Sequence, residues 1–159
     1  MPSVTPLAGR SGFVREALRA AHGLRRAHAA TCEAHGLTFQ QFNVLRILRG
    51  ADAELPVLEI RDRMIEPEPG ITRLVGKLEA YGYVKRARCP TDGRRQMIAL
   101  TPAGRAAVGR LDEPIRELSE RITAGLSPDT LHAARDLMRV VAQRCNPAGP
   151  EAADTRSLP

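Results

Sequence analysis

Apolar residues along this chain recur mostly in steps of three and four, the spacing of one buried helical face. Phe13, Ala17, Ala20, Ala21, Leu24 and Ala27 mark a first helix that ends near His35–Gly36. Thr38 is placed to cap a second helix, with Gln41 three residues on to complete a capping box. That helix carries Phe39, Phe42, Val44, Leu45 and Leu48, and Gly50 reads as its stop. A short third helix, 57–64, follows Pro56; Glu66-Pro67-Glu68-Pro69 then forces a turn. In the fourth helix Ile71, Leu74, Val75 and Leu78 fall on one stripe. Thr72, Arg73, Gly76 and Lys77 then lie on its opposite, exposed face, and Gly82 ends it.

Residues 84–88 and 96–100 read as two short strands, joined by a loop that contains the turn dipeptide Asp92-Gly93. Thr101 caps a fifth helix with Pro102 at its first position. Val108, Leu111, Ile115, Leu118 and Ile122 alternate steps of three and four, a seam for pairing with another helix, and Pro114 predicts a kink in it. Ser127-Pro128 opens a sixth helix lined by Leu131, Ala134, Leu137, Met138 and Val141. The fold class is therefore mainly α with a small β-hairpin. The helices at 11–35 and 103–145 form one lobe, 37–101 forms a second, and 1–10 and 146–159 are loose ends. The outer helices carry more apolar stripe than the central lobe needs to cover itself, which predicts a two-fold dimer through them.

Composition narrows the function. With 43% hydrophobic residues among 159, a core is available, while aromatics make up 3% with no Trp. RNA-binding sheets and single-strand channels stack bases on aromatic rings, so both are disfavoured. The net charge is +6 with a pI near 10.0, and Lys77 and Lys85 are the only lysines. Arginine forks suit guanine edges and phosphates, although a GC-rich genome would produce the same bias. No nucleophile elbow, phosphate loop or H-E-x-x-H is present, so no enzyme is expected. The N-terminal stretch lacks an apolar signal core and no run of about eighteen apolar residues occurs, so a cytoplasmic protein without a membrane partner is expected.

The chemistry concentrates between Gly70 and Gly104. A helix followed by an arginine-tipped hairpin can engage two grooves of one duplex, the helix in the major groove and the tip at phosphates or the adjacent minor groove. Gly70, Thr72, Arg73 and Lys77 are the helix's candidates for DNA, with Asp92, Arg94 and Arg95 at the tip. Asp92 is spaced to hold Arg94 in a fixed pose. Lys85, Arg86 and Arg88 on the strands suit phosphates, which give salt dependence rather than specificity.

The chain resembles the MarR family of transcriptional regulators over roughly residues 13–144. Asp92-Gly93-Arg94, followed by Leu100-Thr101-Pro102-Ala103-Gly104, is similar to that family's D-x-R…L-T-x-x-G signature. Thr72-Arg73-Leu74-Val75, Leu78-Glu79, Gly82 and Val84 match its recognition-helix pattern, and Gln41-Phe42 with Val44-Leu45 its second helix. The Pro-Glu-Pro entry to the recognition helix departs from the usual Ser/Thr-rich turn. The resemblance implies a homodimeric winged helix-turn-helix protein on a pseudo-palindromic operator, most often a repressor. It also implies release from DNA by a small, often phenolic, molecule bound between the two lobes. The absence of Trp counts against the urate-sensing branch.

Two other sensing chemistries stand beside that one. His28, Cys32 and His35 share a helical face and are metal-ligand types, yet lack a fourth partner; ordinary helix-end polar residues are the plainer reading, and no metal or cofactor is assigned. Cys89 lies among Arg86, Arg88 and Arg94, which favour a thiolate and a redox switch.

Overall fold

The computed structural model describes residues 6–88 and 96–145, with side chains over 9–87 and 96–145. The elements run α1 (Pro6–Glu33), α2 (Phe39–Ala51), β1 (Leu55–Pro56), α3 (Val57–Arg63), α4 (Ile71–Ala80), β2 (Val84–Arg88), β3 (Gln96–Leu100), α5 (Pro102–Gly109), α6 (Asp112–Thr123) and α7 (Pro128–Cys145). This is a mainly helical fold with one small antiparallel sheet in the order β1-β3-β2.

Local chemistry sets several boundaries where the sequence put them. The Gln41 N–H donates to Thr38 Oγ1 (3.2 Å) and the Thr38 N–H to Gln41 Oε1 (2.9 Å), so the capping box is closed. Such a cap stabilises a helix by about 1 kcal/mol. Gly36 at φ 79° ends α1, where the Leu37 N–H reaches back to the Cys32 carbonyl. Gly82 at φ 73° ends α4 by the same closure, its own N–H bonding the Glu79 carbonyl and the Tyr83 N–H that of Leu78.

Five expectations need correction. α1 begins at Pro6, so residues 6–10 are helical rather than loose; proline suits a first helical position and nothing between it and Phe13 breaks the helix. Gly50 does not stop α2, which continues to Ala51 and ends on Asp52 in the left-handed region at φ 47°, a conformation that short polar side chains tolerate. Leu55–Pro56 forms a third strand, paired to Ile98 and Met97 of β3. The long fifth helix is two: α5 stops at Gly109 and α6 starts at Asp112. A proline ring clashes with the carbonyl four residues back, so Pro114 places the break at Arg110 rather than at itself. Gly76 is half-buried rather than exposed.

The core gathers the end of α1, α2, α3, α4, the sheet, α5 and the start of α6. Cys32, Leu45, Leu48, Ile60, Leu78, Ile98, Val108 and Leu111 are all sealed within it. Each large apolar side chain buried there stabilises the fold by about 1.5–3 kcal/mol. α2 is central, with residues buried on several of its faces. Arg49 clasps Asp112 of α6 through two hydrogen bonds (2.8 and 2.7 Å), and Arg105 of α5 reaches Asp52 at 3.2 Å. The outer helices differ: no residue of α7 is buried, and Phe13, Val14, Leu18 and Leu24 of α1 are exposed.

Candidate nucleic-acid interface

α4 presents the surface that the sequence assigned to DNA. Ile71, Val75 and Leu78 are buried and Leu74 half-buried, so the helix is held along one stripe. Thr72, Arg73 and Lys77 are exposed on the other side. Arg73 and Lys77 are four residues apart, hence neighbours on one helical face. At the helix's entry the Gly70 N–H donates to Glu68 Oε1 (3.2 Å), so a carboxylate already occupies the donor that a phosphate would meet first. Glu66, which opens the same proline-rich turn, pairs with Arg25 of α1 at 3.2 Å.

The far end of α4 is tied to the ribbon and to α5 through Thr101. Its N–H donates to the Tyr83 carbonyl (3.1 Å), and its hydroxyl lies 2.7 Å from the Gly82 carbonyl and 3.0 Å from that of Tyr83. The same hydroxyl accepts from the Gly104 N–H (3.0 Å). A Cβ at position 104 would lie 2.0 Å from the Tyr83 carbonyl oxygen. The run Leu100-Thr101-Pro102-Ala103-Gly104 thus has a physical content. The threonine caps α5 and locks the end of α4, and only glycine permits the close approach.

In the ribbon β2 pairs with β3 in the register Val84↔Leu100, Arg86↔Ile98 and Arg88↔Gln96. Alternate residues of a strand share a face, so Arg86 follows buried Val84 to the inner side and Lys85 points away, exposed. Arg86 is consequently engaged: its Nε donates to Glu79 Oε2 of α4 (2.8 Å) and its Nη1 to Gln96 Oε1 (2.6 Å). Its Nη2 lies 3.7 Å from where a Cβ on Gly76 would sit. Sequence reasoning missed Glu79 and Gln96; counting alternate positions from Val84 was the signal that separates Arg86 from Lys85. The Arg88 side chain lies outside the described residues, as do Cys89, Asp92, Arg94 and Arg95.

The metal-type trio is not assembled. The His28 and His35 Nδ1 atoms bond the carbonyls of Leu24 (2.8 Å) and Thr31 (2.9 Å), while the Cys32 thiol is buried. Burial, then the nearby Glu33 charge, pushes that thiol up to about 11. Among the described residues no group of three or more His, Cys, Asp or Glu side chains is placed to hold a metal, and no helix is long and apolar enough to cross a membrane.

Comparison with known proteins agrees with this geometry. Residues 35–95 match the model of the MarR family. The chain is 39% identical over 93 residues to the HTH-type transcriptional regulator TtmR of Methylorubrum extorquens, a match covering 58% of this chain and 47% of TtmR, so it spans about half of that relative's length. It is 30% identical to the homoprotocatechuate degradative operon repressor of Escherichia coli, across 65% of this chain and 70% of that one. Sco3205 of Streptomyces coelicolor, a MarR family regulator solved in complex with DNA, superposes with a TM-score of 0.79 over 98% of this chain and 99% of its own at 21% identity, a likeness of fold. With the sheet and α4 packed as described, and relatives that are regulators rather than enzymes, the chain belongs to the MarR family of winged helix-turn-helix transcriptional regulators.

Proposed function

We propose that this protein is a homodimeric, sequence-specific DNA-binding regulator, a repressor, that holds a pseudo-palindromic operator and leaves it when a small organic effector binds between its lobes. The observation that carries the reading is α4: a helix fixed by buried Ile71, Val75 and Leu78 that turns Thr72, Arg73 and Lys77 outward beside a two-stranded ribbon. Bound to DNA, α4 lies in the major groove with Arg73 and Lys77 at base edges, and the Gly70 N–H meets the backbone once Glu68 releases it. Lys85, Arg86 and Arg88 supply positive charge along the ribbon, and Asp92, Arg94 and Arg95 complete the set of residues proposed to meet DNA. Sco3205 was captured on DNA with this fold, and the Escherichia coli relative is a repressor.

Dimerisation is supported by what α1, α6 and α7 leave open. Phe13 and Leu18, Ile122, and Leu137 and Met138 are all exposed in the single chain. A lobe built from 11–35 and 103–145 that covers these residues against a second copy brings two α4 helices to one face, as a two-fold operator requires. An effector releases DNA only by preferring the spacing of the two reading lobes that does not fit; equal affinity for both spacings shifts nothing.

The test starts from duplexes selected by the full-length chain from a random pool. A two-fold symmetric site should emerge, with binding that weakens steeply with salt. Arg73→Ala should cost about 1–3 kcal/mol and relax the preference at one position of each half-site. Selection of no sequence, or a loss spread evenly over all sequences, contradicts the assignment of α4.

A further inference from the structure

We infer that Arg86 is a positioning residue: its guanidinium, held by Glu79 and Gln96, fixes the angle between the recognition helix and the ribbon, and so whether both fit one duplex. This rests on the DNA-binding reading above and changes the role of one residue within it. The sequence offers Arg86 as one of three ribbon cations suited to phosphates. The structure gives it other work. Its Nε is bonded to the Glu79 carboxylate in the last turn of α4 and its Nη1 to Gln96 at the start of β3, while the residue itself belongs to β2. One side chain of β2 therefore bonds two other elements, α4 and β3, in the same place. Its Nη2 lies over Gly76, half-buried on the helix.

Two features make this a brace rather than a casual surface pair. The Arg86 side chain is 25% exposed, well under its Glu79 partner at 40%. The fork geometry also demands arginine, since a planar guanidinium can bond two acceptors in fixed directions and an ammonium on a flexible stem cannot hold the same pose. The brace complements the Thr101–Gly104 lock. That lock fixes where the ribbon leaves α4. The Arg86 contacts lie further along the strands, at Arg86 and Gln96, and control which way the ribbon runs from there. Lys85, directed outward, carries no such duty and stays available to a phosphate.

Charge alone and positioning predict opposite signs, so the readings separate cleanly. Removing a carboxylate beside DNA relieves repulsion, and a bare phosphate contact by Arg86 would be strengthened when Glu79 lets it go. If the pair is a brace, losing Glu79 weakens binding although the protein sheds a negative charge. The experiment measures affinity of full-length Glu79→Gln, Arg86→Lys and the double variant for the selected duplex across a salt series, with hydrogen exchange of strands 84–88 and 96–100 followed in the absence of DNA. We expect Arg86→Lys to weaken binding about tenfold and Glu79→Gln about fivefold, which convert to about 1.4 and 1 kcal/mol, the net range of an ordinary intramolecular hydrogen bond. The double variant should be no worse than Arg86→Lys, melting temperature and oligomeric mass should hold, and exchange in both strands should quicken in each variant. Arg86→Lys within twofold of the parent, or Glu79→Gln binding as well or better, overturns the brace. If the parent selects no duplex, the DNA reading fails, and unchanged strand exchange in the variants would then refute the brace while faster exchange supports it.

Discussion

Leu45 and Leu137 are the same residue type, each on a helix, yet Leu45 on α2 is completely buried and Leu137 on α7 is 48% exposed. The contrast runs through the molecule. Between Leu37 and Leu111 most large apolar residues are buried among that segment's own sheet and helices, while Leu58, Ile65 and Tyr81 stay exposed. In α1 Phe13, Val14, Leu18 and Leu24 are exposed, and along α7 no residue is buried, with Leu137 and Met138 exposed and Leu131 and Val141 half-buried. The first region's stability is a property of one chain. That of the second depends on whatever covers it, and if the cover is a second copy its stability follows protein concentration. The border falls inside α1, where Leu18 is 68% exposed and Cys32, near the helix's end, is sealed.

The comparison is broken most severely at the core. Leu45→Ala should remove about 2–5 kcal/mol of stability at any protein concentration, because it leaves a cavity in the buried core. Denaturant titrations at two concentrations check that the loss is the same in both. Leu137→Asp should act the other way. It leaves the 37–111 core intact, as read by the same titration at high dilution, but weakens self-association by about 2 kcal/mol or more, which sedimentation reads as a shift towards 17.3 kDa. If that variant unfolds the chain with no change in association, α7 belongs to the monomer's fold.

A smaller effect tests the border itself. The Cys32 thiol is pushed up to about 11 from an ordinary value of 9.0. Above pH 9 the unfolded thiol loses its proton while the folded one keeps it, so the unfolded state binds fewer protons and stability falls as pH rises towards 11. Cys32→Val should flatten that decline. The same burial makes Cys32 slow towards thiol reagents and leaves exposed Cys145 fast, measurable by labelling the native protein.

What was legible in the sequence was chiefly local. Thr38 with Gln41 closes its box within one turn, and the stripe Ile71, Leu74, Val75, Leu78 needs only helical periodicity, so both emerged where expected. The break before α6 was half legible: Pro114 announces it, but the clash acts four residues upstream. β1 was invisible because a two-residue strand exists only through its pairing with β3. The Arg49–Asp112 clasp joins residues 63 apart, which no local pattern encodes. Arg86 is the instructive case. Its residue type suggested DNA, while the alternation from Val84 already assigned it inward to Glu79. Position in the pleat outweighed chemical type.

The central claim is that two copies, joined through the helices one chain leaves uncovered, lay paired α4 faces on one duplex. Native mass spectrometry of the full-length protein with its selected duplex tests it most directly. The account predicts two chains of 17.3 kDa per duplex, with no populated one-chain complex near the binding midpoint. A stable complex of one chain per duplex, at the affinity of the whole, would contradict it.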